Sequence, residues 1–505
     1  MEKSPVLEVK DLSIAFEKKV VNSLSFSVYP GQTTAIVGES GSGKTVSSMA
    51  FMGLLPTSAT IESGSFTELA KGVEISMVFQ DPMSSLNPSM RVGKQVAEPL
   101  IIHKRLSGYE AKEKVLELFK EVELPEPSKS FDKYPHELSG GQKQRIMIAM
   151  AIACDPKVLV ADEPTTALDV TVEKTILDLL ASLQKERNLG VLFISHNLEV
   201  VNAIADFVVV MKTGDVVEQG ECKEVFDNPQ HSYTKELIAS RPKRTTVESS
   251  SQSLIIEAKN VSLDYVEKRD LLGRVRKKFR AVKNVSLSIG KGERVGLVGE
   301  SGSGKSSLGK LMMGMEKCTE GQVVWRGGEV GGSSQSAFIK FAQPVFQDPF
   351  SALNPRLTIN QALSEALKLS GSSMTVADLL QEVGLHPSDA DKHPGSFSGG
   401  QRQRIVLARA LAMEPEFLVL DESVAALDLR IQSEILDLLT HIQKSRSLAF
   451  LFISHDLSVI EAVCDRVLIM KDGEIVEEDV TKNIFNNPQN SYTKELLNSR
   501  PGAEF

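Results

Sequence analysis

Val37-Gly-Glu-Ser-Gly-Ser-Gly-Lys44 recurs letter for letter at residues 298–305, an offset of 261. Each copy follows a short apolar run, Thr34-Ala-Ile-Val37 in the first, and continues into Thr45 or Ser306. Both fit G-x-x-x-x-G-K-[ST] placed after a strand. Glycines at 38, 41 and 43, and again at 299, 302 and 304, let backbone N–H groups turn inward around phosphate oxygens. Ser40 and Ser301 lie on the same loops, so Gly38, Ser40, Gly41, Gly43 and Gly299, Ser301, Gly302, Gly304 are read as nucleotide-binding. Lys44 and Lys305 offer a point charge to the β- and γ-phosphates. The Thr45 and Ser306 hydroxyls suit Mg²⁺, and a helix starting here aims its positive end at the anion.

The repetition extends over the chain. Leu138-Ser-Gly-Gly-Gln142 returns as Phe397-Ser-Gly-Gly-Gln401, an offset of 259. The same offset relates Asp162 to Asp421, Glu163 to Glu422 and His196 to His455. Residues 228–242 and 487–501 share 12 of 15 letters. A period near 260 is far beyond the roughly 20–50 residues of a solenoid repeat, so one domain is written twice. We expect a first domain at 1–240, a linker at 241–253 and a second domain at 254–505. The linker is polar and Ser-rich. Its thirteen residues span about 20 Å as flexible chain, with a ceiling of about 45 Å. That lets the halves face each other without acting independently.

The 505 residues are 41% hydrophobic and 24% charged, ordinary for a globular chain. The net charge of −9 speaks against a nucleic-acid coat or a polybasic membrane anchor. No apolar run approaches the roughly 20 residues of a membrane span; runs such as residues 207–211 have strand length. The N-terminus carries no secretory pattern. Cys154, Cys222, Cys318 and Cys464 show no CxxC spacing, so we expect buried free thiols, with no disulfide framework and no zinc or iron–sulfur pattern.

Secondary structure alternates. Leu7-Glu-Val-Lys-Asp-Leu-Ser-Ile-Ala-Phe16 reads as a half-buried strand, and residues 110–123 have helical spacing. Val158-Leu-Val-Ala161 and Val191-Leu-Phe-Ile194 read as strands buried on both faces. This predicts α/β architecture with a largely parallel sheet in each half. Asp162-Glu163 and Asp421-Glu422 each follow such a strand. The first acid suits Mg²⁺, directly or through water, and the second suits a general base on an attacking water.

Ser139-Gly-Gly-Gln142 and Ser398-Gly-Gly-Gln401, about twenty residues ahead of the Asp-Glu pairs, resemble the signature of ATP-binding-cassette ATPases. The resemblance covers nearly the whole chain twice. It implies two tandem P-loop cassettes, each with a RecA-like core, a helical subdomain and an antiparallel β subdomain. It makes Gln80 and Gln347 the Q-loop glutamines, near Mg²⁺ and the attacking water, and His196 and His455 the switch histidines. Asp169 and Asp428 match the D-loop, and Phe16 and Tyr265 match the aromatic stacked on adenine. It also implies a head-to-tail sandwich within one chain. One ATP and its Mg²⁺ would lie on Lys44, Thr45, Gln80, Asp162, Glu163 and His196 with Ser398 and Gly400 across the seam. The second would lie on Lys305, Ser306, Gln347, Asp421, Glu422 and His455 with Ser139 and Gly141.

Gln80-Asp-Pro-Met-Ser-Ser-Leu-Asn-Pro88, Gln347-Asp-Pro-Phe-Ser-Ala-Leu-Asn-Pro355 and the two Ser-Tyr-Thr-Lys-Glu-Leu tails resemble the oligopeptide/dipeptide/nickel importer ATPases. A fused chain of this kind is similar to the single-chain ATPases of glutathione and microcin or peptide importers. The resemblance implies an ATPase at the cytoplasmic face of the inner membrane. Its partners would be two permease subunits and an extracytoplasmic binding protein, with no nucleic acid. Three departures stand out. Ser423 and Ala425 interrupt the second D-E-P-V-S-A-L-D pattern, and the cysteine cluster of many relatives is missing from both tails. A basic stretch between Tyr265 and Ala281 reads as a solvated loop, or as a contact with lipid headgroups or a permease. Alternatives are a translation-factor type of twin cassette, a fused monosaccharide-importer ATPase and an exporter. The short linker, the intact signatures and the Q-D-P-x-x-x-L-N-P segments favour the peptide-importer type.

Overall fold

The computed structural model describes residues 4–166, 168–240, 253–269, 275–330, 335–346, 348–424 and 427–500. These fall into two compact units, 4–240 and 253–500. Most of the linker, Gln347, Ala425 and residues 270–274 of the basic stretch lie outside the described residues.

In the first unit, Thr33–Val37, Val158–Asp162 and Gly190–Ser195 are buried at every position, as continuous apolar runs between two layers of helix must be. They form a parallel core with Ile75–Val78 and Phe207–Lys212. Lys19–Val28, Leu7–Ala15 and Thr60–Phe66 add an antiparallel flank. The strand Leu7–Ala15 does not alternate to its end. Asp11 sits at φ 49° and the pairing shifts between Val9 and Leu12, so residues 12–15 are all buried. Asn260, at φ 48°, does the same in the second unit. Asp and Asn tolerate the left-handed conformation that such a bulge requires.

The helical segment begins at Val92–His103. Gly108–Glu121 follows, starting two residues earlier than its periodicity predicts because Ser107 and Glu110 close a capping box. Gly140–Ile152 is capped in the same way by Ser139 and Gln142.

The second unit repeats this plan with two differences. Its strands form a four-stranded and a six-stranded sheet, where the first unit has one sheet of nine. The join in the first unit is a single bridge, Asn22 to Asp215, reinforced by the Asn22 amide donating to the Asp215 carboxylate at 3.0 Å. Lys283 occupies the corresponding place. Its backbone N–H still reaches the Gly473 carbonyl at 2.8 Å, but it has no side-chain amide to close the bridge.

The second difference concerns the basic stretch. The solvated loop expected there is instead an extension of two paired strands, Leu254–Arg269 and Val275–Gly290. Val275 to Arg280 are exposed, so the charge is solvated while the backbone is hydrogen-bonded. Arg280 forks onto Asp264 at 2.7 and 3.2 Å and also reaches Glu320.

Cys154, Cys222 and Cys464 are buried, and burial pushes the Cys222 thiol up to about 11. Cys318 is only partly buried, contrary to expectation. No helix among the described residues is long and apolar enough to cross a membrane.

At the start of the central strand the units differ in charge. Thr33 donates its backbone N–H to Asp206 at 2.8 Å. In the second unit Arg294, 1% exposed, holds Asp465 at 2.6 Å. Breaking a buried ion pair by removing one member is strongly destabilising. Asp465→Ala is therefore expected to destabilise the second unit by about 3–5 kcal/mol. Asp206→Ala is expected to cost the first about 1–3 kcal/mol. Hydrogen exchange on Thr33–Val37 and Arg294–Val298 under denaturant reads the two separately; equal losses would contradict this assignment.

Candidate functional site

Each glycine loop joins the end of the central strand to a helix, Lys44–Met52 or Lys305–Met312. The loop lies so close to the neighbouring strand that a side chain is excluded. A Cβ on Gly38 would stand 2.2 Å from the Met211 carbonyl, and one on Gly299 would stand 2.1 Å from that of Met470. Gly43 and Gly304, at φ 100° and 105°, turn the chain into the helix. Ser40, Gly41, Ser301 and Gly302 lie on the exposed crest of each loop. Lys44 Nζ folds back onto the Gly38 and Glu39 carbonyls at 2.7 and 2.8 Å. Lys305 does the same with Gly299 and Glu300, both at 2.7 Å. A buried ammonium is thus held against the loop interior.

Opposite the loop, the end of the next strand but one supplies the acids. Thr45 Oγ1 donates to Asp162 Oδ1 at 3.3 Å, and Ser306 Oγ donates to Asp421 Oδ1 at 3.3 Å. Burial, with the Glu163 charge behind it, outweighs the Thr45 hydrogen bond and pushes the Asp162 carboxyl up to about 6. Burial raises Asp421 as well. A hydroxyl and a carboxylate side by side, both hard oxygen donors, fit Mg²⁺.

The two glutamates have the same strained turn. Glu163 and Glu422 adopt φ 46° and 48°, and their N–H groups reach back to Ile194 and Ile453 at 2.8 and 2.9 Å. A left-handed glutamate costs about 1–3 kcal/mol and persists only where its surroundings fix it. Here the turn points the carboxylate at a histidine. Glu163 Oε1 meets His196 Nδ1 at 3.0 Å, and Glu422 Oε1 meets His455 Nδ1 at 3.2 Å. Burial raises Glu163, but the bonds from His196 and Thr166 and the charges of His196 and Lys44 hold it below the ordinary value. The His455 bond outweighs burial at Glu422 and lowers it too. Burial would lower His455, but Glu422 holds it above the ordinary value.

Gln80 Nε2 donates to Glu163 Oε2 at 2.8 Å, and Thr166 Oγ1 donates to the same oxygen at 3.1 Å. Sequence reasoning named Gln80 but missed Thr166. In the second unit its place is taken by Ala425, which has no hydroxyl. Ser423 is buried, and its hydroxyl has no hydrogen-bond partner among the described residues.

The signature residues have a different neighbourhood. Ser139 and Ser398 are exposed N-caps. A Cβ on Gly141 would come within 2.6 Å of Val172, and one on Gly400 within 2.3 Å of Ile431. The close approach at these two glycines is to the helix Val170–Arg187 or Leu429–Arg446. Asp169 and Asp428 cap those same helices, each at 3.0 Å. Phe16 is 36% exposed at the end of its strand. Tyr265 is partly buried, with part of its side chain against the second core.

The profile of the ABC transporter family matches residues 21–166 and 282–425. That of the oligopeptide/dipeptide transporter C-terminal region matches 217–260 and 476–504. The chain is 41% identical over 524 residues to the peptidoglycan transport ATP-binding protein YejF of Agrobacterium fabrum, covering 98% of this chain and 96% of that protein. It is 39% identical over 563 residues to the glutathione import ATP-binding protein GsiA of Escherichia coli K12, covering 99% and 90%. Among solved structures, an archaeal ribosome recycling factor in complex with the ribosomal stalk protein matches with a TM-score of 0.63. It covers 91% of this chain and 88% of that one at 20% identity, a likeness of fold alone. Two glycine loops, two signature segments and two profile matches lead to one conclusion: the chain belongs to the ABC transporter family and is a tandem ATP-binding ATPase.

Proposed function

We propose that this chain is the ATP-hydrolysing subunit of an importer for peptides or related small solutes. Residues 1–240 form one cassette, 254–505 the other, and 241–253 link them. The observation that carries the ATPase chemistry is the duplicated Glu–His pair beside a hydroxyl–carboxylate pair at the phosphate loop. The importer reading is supported by the matched C-terminal regions and by relatives named for peptidoglycan transport and glutathione import. These favour it over a non-transport twin cassette. Two permease subunits and an extracytoplasmic binding protein complete the transporter, with this chain at the cytoplasmic face of the inner membrane.

Thr45 and Asp162, or Ser306 and Asp421, would hold Mg²⁺, which would neutralise phosphate charge; Gln80 stands beside Glu163 in the first site, and Gln347 is its counterpart by sequence. Lys44 and Lys305 exchange the loop carbonyls for β- and γ-phosphate oxygens. The loop N–H groups supply donors that are already oriented. Phe16 and Tyr265 stack on adenine. Glu163 and Glu422 orient the attacking water and accept its proton, and His196 and His455 hold each carboxylate in place. Gln80 bonds to the same Glu163 oxygen and so borders the same water. Ser398 with Gly400, and Ser139 with Gly141, close each site from the opposite cassette in a head-to-tail arrangement. Nucleotide binding then draws the cassettes together, and hydrolysis releases them.

Glu163→Gln is expected to lower ATP turnover by about 10²–10⁴-fold while ATP still binds. Glu422→Gln is expected to act in the same direction with a smaller drop. Phosphate release by the purified transporter checks this, and undiminished turnover in both variants would remove the general-base assignment. Lys44→Ala is expected to weaken nucleotide binding at the first site, read by photolabelling with an azido-ATP; full labelling there would contradict the lysine's role.

A further inference from the structure

Each tail carries a buried tyrosine that the chemistry above does not use. Tyr233 lies in the helix Ser232–Ala239 and Tyr492 in Ser491–Asn498, at 2% and 4% exposure. The Tyr233 hydroxyl accepts the backbone N–H of Glu39 at 3.3 Å, and the Tyr492 hydroxyl accepts that of Glu300 at 3.1 Å. Glu39 and Glu300 are the second residues of the two phosphate loops. Their carbonyls, with those of Gly38 and Gly299, receive Lys44 and Lys305. The backbone of one loop residue is therefore held by the tail on its N–H side and by the phosphate lysine on its C=O side.

The tyrosines are themselves fixed from several directions. Lys212 and Lys471 stand over their rings at 4.5 and 4.2 Å from the centroids. Each lysine follows the methionine whose carbonyl presses on Gly38 or Gly299. The turn leading into each helix is held by a carboxylate. Glu218 accepts the N–H groups of Gln230 and His231 at 2.7 and 3.1 Å, and Glu477 accepts those of Gln489 and Asn490 at 2.7 and 3.1 Å. The helix cap differs between the units, His231 in one and Asn490 in the other, yet the hydroxyl-to-loop bond is the same. The tail of each unit thus has one feature directed at the phosphate loop, formed twice around different caps.

We propose that Tyr233 and Tyr492 are positioning residues for the phosphate loops. Each hydroxyl fixes the first turn of its loop and, through Glu39 or Glu300, the seat of the phosphate lysine. The C-terminal segment is then a working part of each nucleotide site. This rests on the two loops being ATP sites.

Tyr→Phe keeps the ring and its lysine contact and removes only the hydroxyl. For Tyr233→Phe combined with Tyr492→Phe, the KM for ATP is expected to rise about 3- to 10-fold as the hydrogen bond to each loop is lost. The kcat is expected to stay within about twofold, because the loop grips ground state and transition state alike. Binding of trinitrophenyl-ATP should weaken by the same factor, and the melting temperature without nucleotide should stay within about 2 °C of the parent. A double variant that binds and turns over ATP like the parent overturns the proposal. So does one whose nucleotide-free melting temperature, kcat and KM deteriorate together, since that marks a purely structural tyrosine. A parent chain that fails to bind the analogue overturns the ATP-site reading and this proposal with it.

Discussion

A carboxylate forced to the end of a buried strand is the constraint on which the rest of each unit depends. Val158–Asp162 and Phe417–Asp421 are enclosed by other strands and helices, so the next residue must leave the sheet sharply. Glu163 and Glu422 do so through the left-handed region, pinned by an N–H bond to the adjacent strand. That single turn separates two neighbouring acids by function. Asp162 and Asp421 face the hydroxyl on the phosphate loop, whereas Glu163 and Glu422 face the histidine beyond the neighbouring strand. Their environments push their proton affinities in opposite directions, up for the aspartates and down for the glutamates. Two adjacent carboxylates with one chemistry in sequence thereby acquire two chemistries in the fold.

The duplication shows what this arrangement tolerates. The loop, the hydroxyl–carboxylate pair, the Glu–His pair and the tyrosine contact appear in both units with distances that differ by at most 0.2 Å. Variation falls around them: Thr33 against Arg294 at the strand start, Asn22 against Lys283 at the sheet junction, and His231 against Asn490 at the tail cap. One variation does reach the chemistry. The hydroxyl that Thr166 gives to Glu163 is absent from the alanine at 425, and Ser423 brings a buried hydroxyl with no partner among the described residues where the first unit has Pro164.

Much of this was legible in the residues. The glycine loops, the Asp-Glu pairs and the strands before them follow from motif and apolar pattern, because each depends on contiguous letters. Three things were not legible. The Asp11 and Asn260 bulges break strict alternation, and a period-two reading has no place for an extra residue. The basic stretch reads as loop because its charge hides that its backbone pairs across a hairpin. The packing of the second signature glycines against Val172 and Ile431, some thirty residues away, leaves no trace in the local sequence. The tyrosines were visible as a repeated tail, but nothing local connects residue 233 with residue 39; only the fold brings them together.

We propose that one chain carries two working nucleotide sites, the second functional despite Ser423 and Ala425. The number of nucleotides bound per chain tests it most directly. Titration calorimetry of the full-length protein with Mg²⁺ and a non-hydrolysable ATP analogue should give two bound per polypeptide. A stoichiometry of one would contradict the account, leaving the second cassette as scaffold for the first.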